Sequence, residues 1–193
     1  MIIYATKQTF ERYKLKLPSE LMPSTRLIAQ SVIEKEDGDR LLEWGAKIFY
    51  LDKRKCIQVV NFASKFTLFL FDIKVDDIEN IGDMIAHYLL ELYSDDLEMI
   101  KALKKMFEEN HVTCIAKLTD KSAIATLNST QMRYVGNGEY FYEFIQNGVL
   151  HSLEINHDVN FKWLFTMKIK GKTQYFYAGE KFREIMLDRY GVS

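Results

Sequence analysis

The chain is poor in the features that usually announce a chemistry. Two cysteines stand among 193 residues, Cys56 and Cys114, far apart and in no C-x-x-C pair. That spacing excludes a disulfide scaffold and a zinc-finger set, and it reads as two buried free thiols in a reducing cytoplasm. Only two prolines, Pro18 and Pro23, interrupt the chain, so no proline-rich linker or low-complexity segment divides it. No apolar run approaches the ~18 residues of a membrane span, and Met1–Lys7 is too short for a signal peptide, so a cytoplasmic protein without a membrane partner is expected. In that compartment the sequon-like Asn128-Ser129-Thr130 carries no glycan.

Charge of one sign is missing too. With 26 basic and 27 acidic residues the net charge is −1, which argues against a protein built to coat duplex DNA and leaves room for a local basic patch. No Walker loop, G-x-G-x-x-G, G-x-S-x-G or H-E-x-x-H occurs. No catalytic residue and no cofactor is therefore indicated.

Apolar residues are abundant. The composition, 48% hydrophobic and 27% charged, is that of a globular protein. A fold of this mass removes roughly 70% of the unfolded chain's surface from water, enough to dispense with disulfides or metals. The stretch Trp44–Lys74 organises the rest. It predicts three strands, Gly45–Leu51, Lys55–Phe62 and Phe66–Ile73, apolar on both faces and joined by short polar breaks. Asp52-Lys53-Arg54-Lys55 reads as a hairpin tip.

Met1–Ala5 predicts a strand and Lys7–Lys16 a helix, with Pro18 and Pro23 marking a loop. Leu27–Ile33 fits a helical turn or a strand equally. Ile78, Ile81, Ile85, Leu89 and Leu92 define an amphipathic helix over Asp76–Tyr93. A second helix follows, with Asp95 and Glu98 at capping-box spacing and Leu97, Ile100, Leu103 and Phe107 inward. Val112–Leu118 alternates as a half-exposed strand. Asp120 caps a helix through Met132, closed by Gly136-Asn137-Gly138.

The last quarter is rich in aromatics. Tyr140–Ile145 suggests a short helix capped by Asn147-Gly148. Odd positions from Val149 to Ile169 are apolar apart from His151 and His157 and even ones mostly polar, which predicts two strands with a bend near Asn156–Asn160. Lys170-Gly171 turns the chain into a strand over Thr173–Ala178, and a terminal helix spans Glu180–Tyr190. The expected fold is α+β: a mostly antiparallel central sheet packed by helices, with a C-terminal β-hairpin and terminal helix. Residues 1–135 form the core and 136–193 an extension packed on it.

Candidate sites are surface residues. Lys53, Arg54 and Lys55 make a basic tip able to contact nucleic acid or an acidic protein, and the bland reading is a solvated turn that discourages edge pairing. Their charge also makes Cys56 a candidate for thiol activation. Asn61 and Lys65 mark the second break, and Asn128 and Arg133 lie on the helix after Asp120. His151, Glu154 and His157 are the nearest approach to a metal set, but on a straight strand the two histidines lie ~20 Å apart. Asp72, Asp76 and Asp77 are a weaker acidic set.

Trp44 with Ala46, Leu51-Asp52-Lys53-Arg54-Lys55-Cys56, Asn61, Thr67-Leu68-Phe69 and Ser122-Ala123-Ile124-Ala125-Thr126-Leu127-Asn128 together resemble an uncharacterised bacterial family, a domain of unknown function. The likeness covers about Met1–Arg133 and implies no activity. The leading expectation is a non-enzymatic binding or regulatory protein acting through a protein–protein surface, with a protein partner or self-association. Nucleic-acid binding or processing through the basic tip is the alternative, and a phage–host conflict factor the third.

Overall fold

The computed structural model describes residues 1–136, 139–169 and 171–191. Four elements open the chain: strand β1 (Ile2–Ala5), helices α1 (Lys7–Tyr13) and α2 (Pro23–Glu36), and strand β2 (Glu43–Leu51). Strands β3 (Arg54–Asn61) and β4 (Thr67–Leu70) follow, then helices α3 (Ile81–Leu92) and α4 (Leu97–Glu109), strand β5 (Cys114–Lys117) and helix α5 (Lys121–Tyr134). The C-terminal part holds helix α6 (Glu139–Tyr142), the two-residue strands β6 (Ile145–Gln146) and β7 (Val149–Leu150), helix α7 (Ser152–Phe161), strands β8 (Leu164–Ile169) and β9 (Lys172–Tyr177), and helix α8 (Ala178–Tyr190).

A five-stranded sheet in the order β4-β3-β2-β1-β5 forms the middle layer. It is mixed, which corrects the expected mostly antiparallel arrangement: β2, β3 and β4 run antiparallel as two hairpins, whereas β1 is parallel to both β2 and β5. The cause is the length of the connections. Helices α1 and α2 separate β1 from β2, and a helical crossover returns a strand parallel to its start. Asp52 and Lys53 at the tip both have positive φ (47° and 65°), the twist a two-residue hairpin turn requires.

Strict alternation divides the central strands. Ile3, Trp44, Ala46, Ile48, Ile57, Val59, Leu68 and Leu70 face one side, where α1, α3, α4 and α8 cover them. Phe49, Cys56, Phe69 and Val60 face the other, beneath α5, α6 and α7. Phe182 of α8 meets Trp44 edge-on at 6.1 Å and Phe66 at 5.1 Å. The C-terminal helix thus completes the core of the first strands.

Several elements differ from expectation for identifiable reasons. Pro23 opens α2 at the first helical position, where its missing N–H costs nothing, so the undecided stretch Leu27–Ile33 is helical. The cap of α4 is Asp96, whose carboxylate accepts the Met99 N–H at 3.0 Å, not Asp95. That one-residue shift turns Leu97 out to solvent and puts Met99, Ala102, Leu103 and Met106 inward. Asn147-Gly148, both at positive φ, makes a β6–β7 hairpin turn instead of a helix cap. Of the expected turns at 136–138 and 170–171, Asn137, Gly138 and Lys170 lie outside the described residues.

The largest correction is α7, where two bent strands were expected. The apolar alternation of Val149–Ile169 hides a second period: Ile155 and Val159 are four apart and face the core beside Asn156 and Asn160. Those two asparagines complete the free edge of β4. Asn156 accepts the Phe69 N–H at 2.7 Å and donates to the Phe69 carbonyl at 3.1 Å. Asn160 accepts the Thr67 N–H at 2.8 Å and donates to the Thr67 carbonyl at 2.6 Å. One helix turn thereby supplies the donors and acceptors a sixth strand would have given, and closes an edge prone to foreign pairing.

Candidate functional site

The nominated residues separate into those used by the fold and those left facing solvent. Asn61 belongs to the first group. It is fully buried, its amide donates to the Leu41 carbonyl at 2.8 Å, and its oxygen accepts from the Ala63 and Ser64 N–H groups at 3.1 Å each. It shapes the β3–β4 connection. The basic tip is also largely engaged. Arg54 pairs with Asp72 at 3.0 Å, Lys55 donates to the Arg12 carbonyl at 3.2 Å and lies over the Tyr13 ring, and Asp52 accepts the Tyr142 hydroxyl. Lys53 alone of the three cations has no partner among the described residues.

The histidines stay apart in role. His151 Nδ1 approaches Glu154 at 3.3 Å, while His157 stacks on Phe161 with ring centroids 4.8 Å apart. Asp158 is consumed by Tyr140, Trp163 and Lys162. No group of three or more metal-ligating side chains forms among the described residues. Cys56 is buried, and burial pushes its thiol up, against the lowering its basic neighbours promised. Asp77 caps its own loop by accepting the Lys74 N–H at 2.9 Å.

Two nominated residues, Asn128 and Arg133, lie on α5, and a third, Lys65, reaches it from the β3–β4 connection. Capped by Asp120, which accepts the Ala123 N–H at 2.9 Å, this helix buries Ala123, Leu127, Thr130 and Tyr134 against β2 and β3. Asn128 turns outward and accepts from Lys47 Nζ at 2.9 Å. Along one flank Thr126, Ser129, Thr130 and Arg133 recur at i, i+3, i+4 and i+7, which aligns them on one helical stripe. Lys65, held at φ 65° in the β3–β4 connection, reaches that stripe and donates to the Thr126 hydroxyl at 3.1 Å.

Strand β8 forms the opposite wall. Leu164, Phe165 and Thr166 face the α5 stripe across a shallow groove of about 280 Å³. Its charge is one-sided. Lys65 and Arg133 are the ionisable cations in its lining, and none of the described lining residues is a carboxylate, histidine or cysteine. Arg133 stacks its guanidinium 4.2 Å above the Trp163 ring, which fixes the plane of the fork without using its N–H groups. Burial, reinforced by the like charge of Arg40, holds the Lys65 ammonium below the ordinary lysine range, and Asp120 opposes this. A half-buried cation with a lowered pKa gains from a nearby anion.

Leu164 in the lining is 48% exposed, and Tyr175, opposite Thr166 across the β8–β9 pair, is 70% exposed. The sequence reading reached Lys65, Asn128 and Arg133 but not the hydroxyls, Tyr134 or β8. The i, i+3, i+4, i+7 spacing of Thr126, Ser129, Thr130 and Arg133 was the available signal. The β8 wall was not, because it depends on where α7 ends.

A mixed five-stranded sheet between helical layers defines the class, an α+β domain. The chain belongs to the family described as a domain of unknown function, DUF6933, which it matches over residues 2–181. The match passes well beyond Arg133, so both strands of the β8–β9 hairpin lie within the shared unit. No curated protein matches the chain. Among the described residues no helix is long and apolar enough to cross a membrane.

Proposed function

We propose that this chain is a cytoplasmic binding protein whose α5–β8 surface receives an acidic segment of a protein partner. One observation carries the reading. Lys65 and Arg133 face a single groove with no carboxylate in its described lining, whose apolar Leu164 is half-exposed, and Tyr175 stands exposed opposite Thr166 of its wall. Arginine and tyrosine are among the side chains that interfaces concentrate. The two cations supply orientation and rate of encounter, and Leu164 and Tyr175 supply area. The two buried free cysteines fit a reducing compartment.

The basic tip supports a nucleic-acid reading less well, since Arg54 and Lys55 already have partners. The test is NMR chemical-shift mapping with a short Glu/Asp-rich peptide carrying Leu and Phe anchors, beside a single-stranded oligonucleotide. The expected result is peptide-induced shifts at Lys65, Thr126, Ser129, Arg133 and Thr166 that vanish in a Lys65→Ala, Arg133→Ala double variant. Shifts confined to Lys53–Lys55 with the oligonucleotide, or none at α5 with the peptide, would overturn the proposal.

A further inference from the structure

The groove holds more than a pair of surface cations. Tyr134, the residue after Arg133 and also in the lining, is 2% exposed, and its hydroxyl has no hydrogen-bond partner among the described residues. Buried polar atoms are nearly always paired, so an orphaned hydroxyl on a residue that lines a cavity marks a missing acceptor. Burial also pushes the phenol up, which keeps it a neutral O–H donor at physiological pH. Thr126, Ser129 and Thr130 cannot play that part, because each already donates to a carbonyl of α5. Three donors remain: the Lys65 ammonium, the Arg133 fork and the Tyr134 hydroxyl.

We infer that these three groups form a subsite for a phosphoryl dianion, carried on a phosphorylated side chain of the partner segment. The inference rests on the protein-segment reading above and deepens it. A carboxylate neutralises one cation and offers two oxygens, whereas a phosphoryl group neutralises both and offers three. The cavity, about 280 Å³, falls just below the usual range of roughly 300–1,000 Å³ for small-molecule sites, so it suits a group and not a whole nucleotide or coenzyme. The stacked Arg133 presents its planar fork as bidentate recognition of an oxyanion requires.

The experiment titrates the full chain with four probes: inorganic phosphate at constant ionic strength, the acidic peptide, the same peptide with one phosphoserine, and glycerol phosphate. Phosphate is expected to shift the Lys65, Arg133 and Tyr134 resonances. The phosphopeptide is expected to bind about 10-fold or more tighter than its unphosphorylated form, the effect of one or two charge-assisted hydrogen bonds. Arg133→Ala should bring that ratio close to one. Tyr134→Phe, which keeps the ring packing, should reduce it several-fold. Equal affinity of the two peptides, with no phosphate shifts beyond a chloride control, overturns the phosphoryl subsite while the acidic-segment reading stands. Phosphate shifts without binding of either peptide overturn the segment source and leave an anion site only. Tighter binding of free glycerol phosphate than of the phosphopeptide would assign the site to small phosphate esters instead.

Discussion

Replacing Asn156 with alanine tests the feature on which the C-terminal half depends. In the folded chain the Asn156 amide holds both the N–H and the carbonyl of Phe69, and Phe69 is wholly excluded from water. Truncation leaves two buried backbone groups without partners, at about 1–3 kcal/mol each. A loss of about 2–6 kcal/mol is a large share of the 5–15 kcal/mol typical of a domain. At about 2–4 °C per kcal/mol for a chain of this length, the midpoint of thermal unfolding falls by on the order of 10 °C. Asn156→Asp should be no milder. It keeps the acceptor for the Phe69 N–H but sets a carboxylate oxygen against the Phe69 carbonyl in a buried site. Urea unfolding followed by far-UV circular dichroism measures the change. An effect of about 0.5 kcal/mol or less, the size expected of an exposed strand bend, would refute the helix-edge pairing.

Other outcomes follow from the same geometry. Hydrogen bonding from Arg183, with the Met99 N–H adding to it, holds the Asp96 carboxyl below the usual carboxylate range. A folded pKa below the unfolded one gives stability that is present above the unfolded value, about 3.9, and lost as pH falls through the folded one. The stability gap between wild type and Arg183→Ala, measured by urea unfolding from pH 7 to pH 2, should therefore close in the acid range. A Cβ added at Gly179 would lie 2.3 Å from the Phe161 ring, so Gly179→Ala should cost about 1–3 kcal/mol by overpacking, read as a lower denaturation midpoint. The Lys53→Ala, Arg54→Ala, Lys55→Ala triple variant removes the exposed Arg54–Asp72 pair and the Lys55 contacts with the Arg12 carbonyl and Tyr13 ring, and should cost about 1–2 kcal/mol.

What the sequence revealed, and what it hid, follows from the range of the interactions involved. The β2–β3 hairpin was readable because its determinants are local: strong β-formers on either side of a turn whose Asp52 and Lys53 take positive φ. Helix α5 was readable through Asp120 and its apolar spacing. The parallel placement of β1 was not, since nothing within Ile2–Ala5 says which strands will flank it. Helix α7 was misread because its buried asparagines look polar in one dimension and act as core residues only once β4 presents its edge. The site behaves likewise. Arg133 stood out as a cation on a helix, but Asn61, equally prominent, is spent on the fold. The groove exists only where β8 returns beside α5, so its Tyr134 hydroxyl and its Thr166 wall had no signature in sequence.

The proposed binding surface is the α5–β8 face, not the hairpin tip. Fluorescence anisotropy with a labelled acidic peptide, comparing wild type with two variants, measures this directly. Removing Lys65 and Arg133 together should weaken binding about 10-fold or more, the loss expected for two partly desolvated cations. Removing Lys53, Arg54 and Lys55 should leave the affinity within about two-fold, as for rim charges. The opposite pattern, with the tip variant losing binding and the groove variant keeping it, would contradict the account.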